Sequence, residues 1–224
     1  MPRAGLSPEV VVAEAARVAD EVGLEELTLT EVAERFGVAV PSLYKHVSGV
    51  EGLRRGVAVL AIRELGRALS AAVQGAGDEP LPAMARAYRD FARAHPGRYA
   101  ATVRAADGDD AEADAASQAV LDTVLSVLAG YGLTGADAID AARTLRAALH
   151  GFVSLETLGG FGLPRQVDRS FDRLIEILDT ALRTWRPRRR GAGHPRTRPR
   201  KDLDLTLAAA RDLAEGSRKN LAEV

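Results

Sequence analysis

The sequence predicts an all-α protein: an N-terminal three-helix helix-turn-helix domain joined by a long helix to a larger helical domain. Three observations predict it. Hydrophobic residues make up 46% of the 224 positions and aromatics only 4%, so Ala, Leu and Val, with two strong helix formers among them, fill the apolar sites. Period-two alternation of β-branched residues, the mark of a half-buried strand, is missing. Gly, Pro and two Ser/Thr-x-x-Glu boxes punctuate the chain where helices would begin and end.

The first helix is capped by Ser7, with Pro8 at its first position and Glu9 in the first turn, where the helix dipole favours an acid. Val11, Ala15, Val18, Ala19 and Val22 form its apolar stripe, and Gly23 stops it. Thr28 opens the second helix and Glu31 completes a capping box. Val32, Ala33 and Phe36 supply the apolar face, and Gly37 is placed as the left-handed residue that ends it. A third short helix follows, to about Val47, and a fourth runs from Ser48 to about Gln74, with Ser48 and Glu51 as its capping box. Compact helices separated by a glycine turn are the pattern of a helix-turn-helix.

In the third helix Leu43 and Val47 are four apart and face the first two helices. At about 100° per residue, Pro41 and Lys45 point away from that core, Ser42 and Tyr44 lie on the flanks, and His46 lies near the core edge. An exposed lysine beside small side chains suits a major groove, where Lys donates to guanine and Ser or Pro meets base edges. Tyr44 and His46 can reach phosphates and so fix register. The bland alternative is a short surface helix with solvated charges. The capped helices on either side favour DNA recognition.

These residues also carry a resemblance. LTLTEVAERFGVAVPSLYKHVSGVEGL resembles the DNA-binding region of the tetracycline-repressor (TetR) family of transcriptional regulators, in its caps, glycine turn, Leu-Tyr pair and spacing. The resemblance implies that Val40, Pro41, Ser42 and Lys45 face bases, that Tyr44 and His46 meet phosphates, and that Thr30 contacts DNA near the second helix start. Two departures stand out: Ala39 replaces a common Ser or Thr cap, and Val50 replaces a common phosphate-binding Lys. Acids also outnumber bases over residues 1–65, which implies modest non-specific DNA affinity.

Downstream, GAGDEP (75–80) breaks the long helix and Pro96 breaks the next. DGDDAEAD (107–114) reads as a solvated acidic loop, because it lacks the glycine and terminal glutamate of a calcium loop. Helices then cover about 113–129, Thr134 to about Leu158, and Asp168 to Trp185. YRDFARAHPGRYAATVRA and ALHGFVSLETLGGFGLPRQVDRSFDRLIEIL resemble the WHG-type effector domain of TetR regulators, with Leu149-His150-Gly151 in place of Trp-His-Gly.

That resemblance implies a homodimer in which the last two helices pair with those of a second subunit. The residues fit independently: Leu145, Ala148, Leu149, Phe152 and Leu155 make a stripe too wide for one buried face. The expected interface residues are Leu145, Leu149, Leu155, Phe171, Leu174, Ile177, Leu178 and Ala181; a helix fully buried in a monomer is the alternative. The resemblance also implies a small-molecule effector in a cavity. Candidate lining residues are Met84, Tyr88, Phe91, Tyr99, Val103, His150 and Phe152, each of which also has a plain core reading.

The expected organisation is residues 1–65 for DNA binding, 66–186 for ligand binding and dimerisation, and 187–224 as a basic Arg/Pro-rich linker with a short helical tail. The linker offers phosphate attraction, simple solubility or contact with an acidic partner. Net charge is −1 and cysteine is absent, so neither disulfides nor thiolate metal sites arise. No apolar run reaches the roughly 18 residues of a membrane span, and no signal-peptide pattern opens the chain. A cytoplasmic protein without cofactor or metal is expected. An enzyme is the rival class, but GxSxG, HExxH and a phosphate-binding Gly-Lys loop are absent, and the four histidines are scattered. A ligand-free DNA-binding or protein-interaction adaptor is the other rival. The favoured reading is a ligand-responsive regulator of a double-stranded palindromic operator, more a repressor than an activator.

Overall fold

A computed structural model describes residues 5–103 and 110–186. The basic segment and the tail helix expected beyond Arg186 lie outside the described residues, as does the acidic stretch 107–109. The order is α1 (Pro8–Val22), α2 (Leu29–Phe36), a 3-10 helix (Val40–Lys45), α3 (Gly49–Gln74), α4 (Pro80–Ala94), α5 (Pro96–Thr102), α6 (Ala111–Ala129), α7 (Gly135–Thr157) and α8 (Val167–Arg183). No strand occurs among the described residues.

The first two helices form where their caps say they should. Ser7 Oγ accepts from the Val10 N–H at 3.3 Å. Thr28 Oγ1 accepts from the Glu31 N–H at 3.2 Å while Glu31 accepts from the Thr28 N–H at 3.1 Å, a complete capping box. Gly37 takes φ +63°, ψ +36° and ends α2. Val22 departs from its expected place, being 41% exposed at the end of the α1 stripe.

Two local expectations are corrected, at Ser48 and in the acidic stretch. Ser48 precedes α3 but makes no side-chain cap, because Gly49 enters the helix at φ +73° and Glu51 instead accepts from Arg54 at 3.1 Å. Thr134 opens α7 as its N-cap residue, as expected, although its side chain makes no capping bond. The acidic stretch is not all loop: Asp110 is the buried N-cap of α6, accepting from the N–H groups of Glu112 and Ala113 at 3.2 and 3.1 Å. Glu112 and Asp114 then occupy the first turn, where the helix dipole rewards negative charge.

Two apolar cores flank the middle of α3. Val11, Ala15, Val18, Leu27, Val32, Leu43, Leu53, Val57 and Ala61 build the first. Leu65, Leu69, Leu81, Met84, Phe91, Leu128, Leu145, Leu149, Phe171 and Leu178 are part of the second. One helix thus serves both, and α5 adds a bridge, because Ala101 enters the first core while Tyr99 enters the second. Gly97 lets α5 reach α1: an added Cβ would overlap the backbone carbonyl of Ala19. Beside it Asp20 accepts from the Arg98 N–H at 2.8 Å, and Arg98 also pairs with Glu64 at 3.0 Å.

Candidate DNA-reading surface and effector site

The stretch expected as an α-helical recognition element is a 3-10 helix from Val40 to Lys45. Ala39 offers no side-chain cap and Pro41 sits in the first turn. Repeats of three now set the faces, because i and i+3 eclipse in this geometry. Val40, Leu43 and His46 turn inward: Leu43 is fully buried, His46 is half-buried, and Val40 packs against the first core. Val40 is thus half-buried, as Ser42 and His46 are. Pro41 and Tyr44 share a second face, with Tyr44 60% exposed. Lys45 stacks over half-buried Ser42 on the third, and is itself exposed. Thr30, in the first turn of α2, is exposed.

Charge pairing singles out Lys45. Every arginine of residues 5–65 is held by a carboxylate: Arg17 by Glu14 at 2.7 Å, Arg35 by Glu21, Arg54 by Glu51 at 3.1 Å, Arg55 by Asp110 at 2.5 Å and Arg63 by Glu112 at 2.9 Å. Lys45 has no such partner among the described residues. Arg55 also pulls the Asp110 carboxyl down to about 2, helped by the backbone donors of α6.

In the second core, a polar chain links α4, α5 and α7. The hydroxyls of Tyr88 and Tyr99 lie 3.0 Å apart, with rings edge to face at 5.7 Å, and the Tyr99 hydroxyl is 2.6 Å from His150 Nδ1. Burial pushes the His150 pKa down, and the nearby Arg146 adds to the effect. Neutral His150 can accept the Tyr99 O–H at Nδ1 and keep its proton on Nε2. Burial raises the Tyr88 and Tyr99 hydroxyls, which stay protonated.

The other residues expected to line a cavity are dispersed. Met84 and Phe91 are 2% and 7% exposed core residues, and Val103 sits at the end of α5 in neither core. Phe152, about 200° around α7 from His150, packs on Phe161 and Phe171 with centroids 4.8 and 5.0 Å apart. So Tyr88, Tyr99 and His150 come together, and Phe152 does not join them.

The expected interface residues also divide. Leu145, Leu149, Phe171 and Leu178 are buried in the subunit's own core and present little area to a partner, a correction forced by the packing of α7 and α8 on α4 and α6. Leu174 is half-buried. Leu155, Ile177 and Ala181 face outward, and Leu158 and Leu163 of the α7–α8 loop are exposed beside them in sequence.

One buried cation was not foreseen. Arg89 donates to Glu156 and Asp168, both at 2.7 Å, with its guanidinium 4.7 Å from the Phe171 ring centroid. Its register between Ala85 and Ala92 on the apolar face of α4 was the available signal.

Comparisons with known proteins agree with this architecture. Residues 11–57 match the family model described as bacterial regulatory proteins, tetR family, and residues 81–178 match the tetracyclin repressor-like C-terminal domain. An HTH-type transcriptional regulator of Mycobacterium tuberculosis is 42% identical over 158 residues, 70% of this chain and 72% of that protein. The HTH-type transcriptional regulator YobS of Bacillus subtilis is 32% identical over 185 residues, 82% of this chain and 93% of YobS. Among solved structures, a Rhodococcus sp. RHA1 protein of unknown function is similar with TM-score 0.67 and 25% identity, over 80% of this chain and 96% of that one. The Streptomyces coelicolor TetR family protein ActR, solved in complex with (S)-DNPA, shares the fold with TM-score 0.58 and 19% identity, over 80% of this chain and 98% of ActR.

Proposed function

The chain belongs to the TetR family and is a DNA-binding transcriptional regulator; from that premise we propose a homodimeric cytoplasmic repressor, released from a palindromic operator by a small-molecule effector. The observation that carries the DNA-reading assignment is the isolation of Lys45. In a domain whose described arginines are all held by carboxylates, the one lysine, without a partner among the described residues, sits exposed on the 3-10 turn. Lys45 and Ser42 read base edges from one face. Pro41 packs beside them, and Tyr44, His46 and Thr30 meet the backbone and fix register.

The dimer surface is assigned to Leu155, Ile177, Ala181 and the outer edge of Leu174. A two-fold arrangement would bring two recognition turns to half-sites one duplex turn or more apart. The effector site is assigned to the Tyr88–Tyr99–His150 chain, because α5 joins it directly to the Ala19–Asp20 end of α1. An effector that prefers one placement of α5, and an operator that prefers another, would weaken each other by linkage. The work is binding, with no turnover of the bound molecule.

Selection of bound duplexes from a randomised library by the full chain, at near-physiological salt, tests this reading. Enrichment of a palindrome is the expected result. Retention of DNA without any enriched sequence would overturn it.

A further inference from the structure

Among the described residues, the polar chain in the second core has one kind of charge beside it. Arg146 lies one turn before His150 on α7, so the two share a helix face. Its positive charge acts on Tyr88, Tyr99 and His150 alike, and no carboxylate among the described residues adds a charge there. Arg146 is exposed, His150 is half-buried and Tyr99 is buried, so the group runs from solvent into an apolar interior. No carboxylate among the described residues pairs with Arg146. The residue after His150 is open: a Cβ added at Gly151 would meet nothing within 4 Å.

The hydrogen-bonding inventory has the same sign. Arg146 carries five donors and no acceptor, and neutral His150 keeps one N–H on Nε2 once Nδ1 is taken by Tyr99. Ser154, whose Oγ is 3.5 Å from the His150 ring, can donate or accept. The acid nearest His150 along α7, Glu156, is already taken by Arg89. A cationic ligand would find a like charge, and a neutral one would leave the guanidinium unmatched.

We propose that the effector is an amphipathic organic acid, its anionic group held by Arg146 and the His150 Nε2–H, and its apolar body directed toward Tyr88 and the second core. The inference rests on reading this chain as an effector-responsive regulator. An anion seated here would engage Tyr99 through His150, and Tyr99 lies two residues from the Gly97 contact with α1.

The test uses the full chain and two fluorescent probes of similar shape, anilinonaphthalene sulfonate and the uncharged N-phenylnaphthylamine. The wild type should bind the sulfonate more tightly. Arg146→Gln should weaken the sulfonate about tenfold or more, the scale of one charge-assisted contact, and leave the neutral probe unchanged. Arg146→Lys should restore part of the loss. Equal binding of the two probes, or sulfonate affinity indifferent to Arg146→Gln, would overturn the inference. Operator affinity measured with saturating sulfonate separates the two layers. Arg146-dependent binding without any change in operator affinity would keep the anion site and sink the effector-responsive reading.

Discussion

The two halves of the molecule handle charge differently. In residues 5–65 most arginines pair with acids three residues away or on an adjoining helix, at the surface, as Arg17 does with Glu14 and Arg35 with Glu21. In the larger half the principal cation is buried. Arg89 is 7% exposed and reaches Glu156 and Asp168, 67 and 79 residues further along the chain. Exposed pairs contribute on the order of 0–1 kcal/mol each, so the first half uses charge to tune its surface and relies on caps and packing for stability. The second half has made its fold depend on a charge that must stay matched.

That contrast is best broken at Arg89. Arg89→Leu should destabilise the protein by about 3–5 kcal/mol, because Glu156 would be left in a mostly buried place without its partner. Urea denaturation would read this, and a loss under 1 kcal/mol would show that the site relaxes or hydrates freely. Arg17→Leu, the matched change in the first half, should move stability within about 0.5 kcal/mol.

Next in size is the joint between the halves. Gly97→Ala puts a methyl group against the Ala19 carbonyl, and backbone cannot swing aside as a side-chain tip can. A loss of about 1–3 kcal/mol is expected, together with altered operator affinity. Unchanged denaturation and unchanged DNA binding would remove α5 from the proposed linkage.

Asp110 joins the halves electrostatically, through Arg55 and the first turn of α6. Asp110→Ala should cost about 1–2 kcal/mol, at the upper range of a lost cap. Its folded pKa, about 2, lies below the ordinary carboxyl value. The stabilisation is therefore complete above about pH 4 and is lost as pH falls through about 2. Asp110→Asn should flatten that part of the stability–pH curve, which denaturation at a series of acidic pH values can measure. A smaller loss than at Gly97 or Asp110, about 1 kcal/mol, should come from Thr28→Ala, by removing the capping box of α2.

Legibility followed the same division. The caps at Ser7 and Thr28 and the turn at Gly37 are local chemistry, written within three or four residues, and sequence reading found them. It failed at Ser48, where the left-handed Gly49 overrides a sound capping pattern, and over Val40–Lys45, where a 3-10 repeat replaces the α-helical one. In α7 and α8 periodicity located the apolar residues but could not divide them between core and surface. Leu145 and Leu149 are inside while Leu155 and Ile177 are out, which depends on how α4 and α6 pack against them. Nothing local announces that Arg89 will meet Glu156, or that Gly97 will meet Ala19.

The most direct test of the DNA-reading assignment is to repeat the library selection with Lys45→Ala beside the wild type. The account predicts the same half-site spacing in both, with preference relaxed at one symmetric pair of positions by about 1–3 kcal/mol per site. An unchanged sequence preference with uniformly weaker binding would contradict it, making Lys45 a phosphate contact and leaving base reading to other residues.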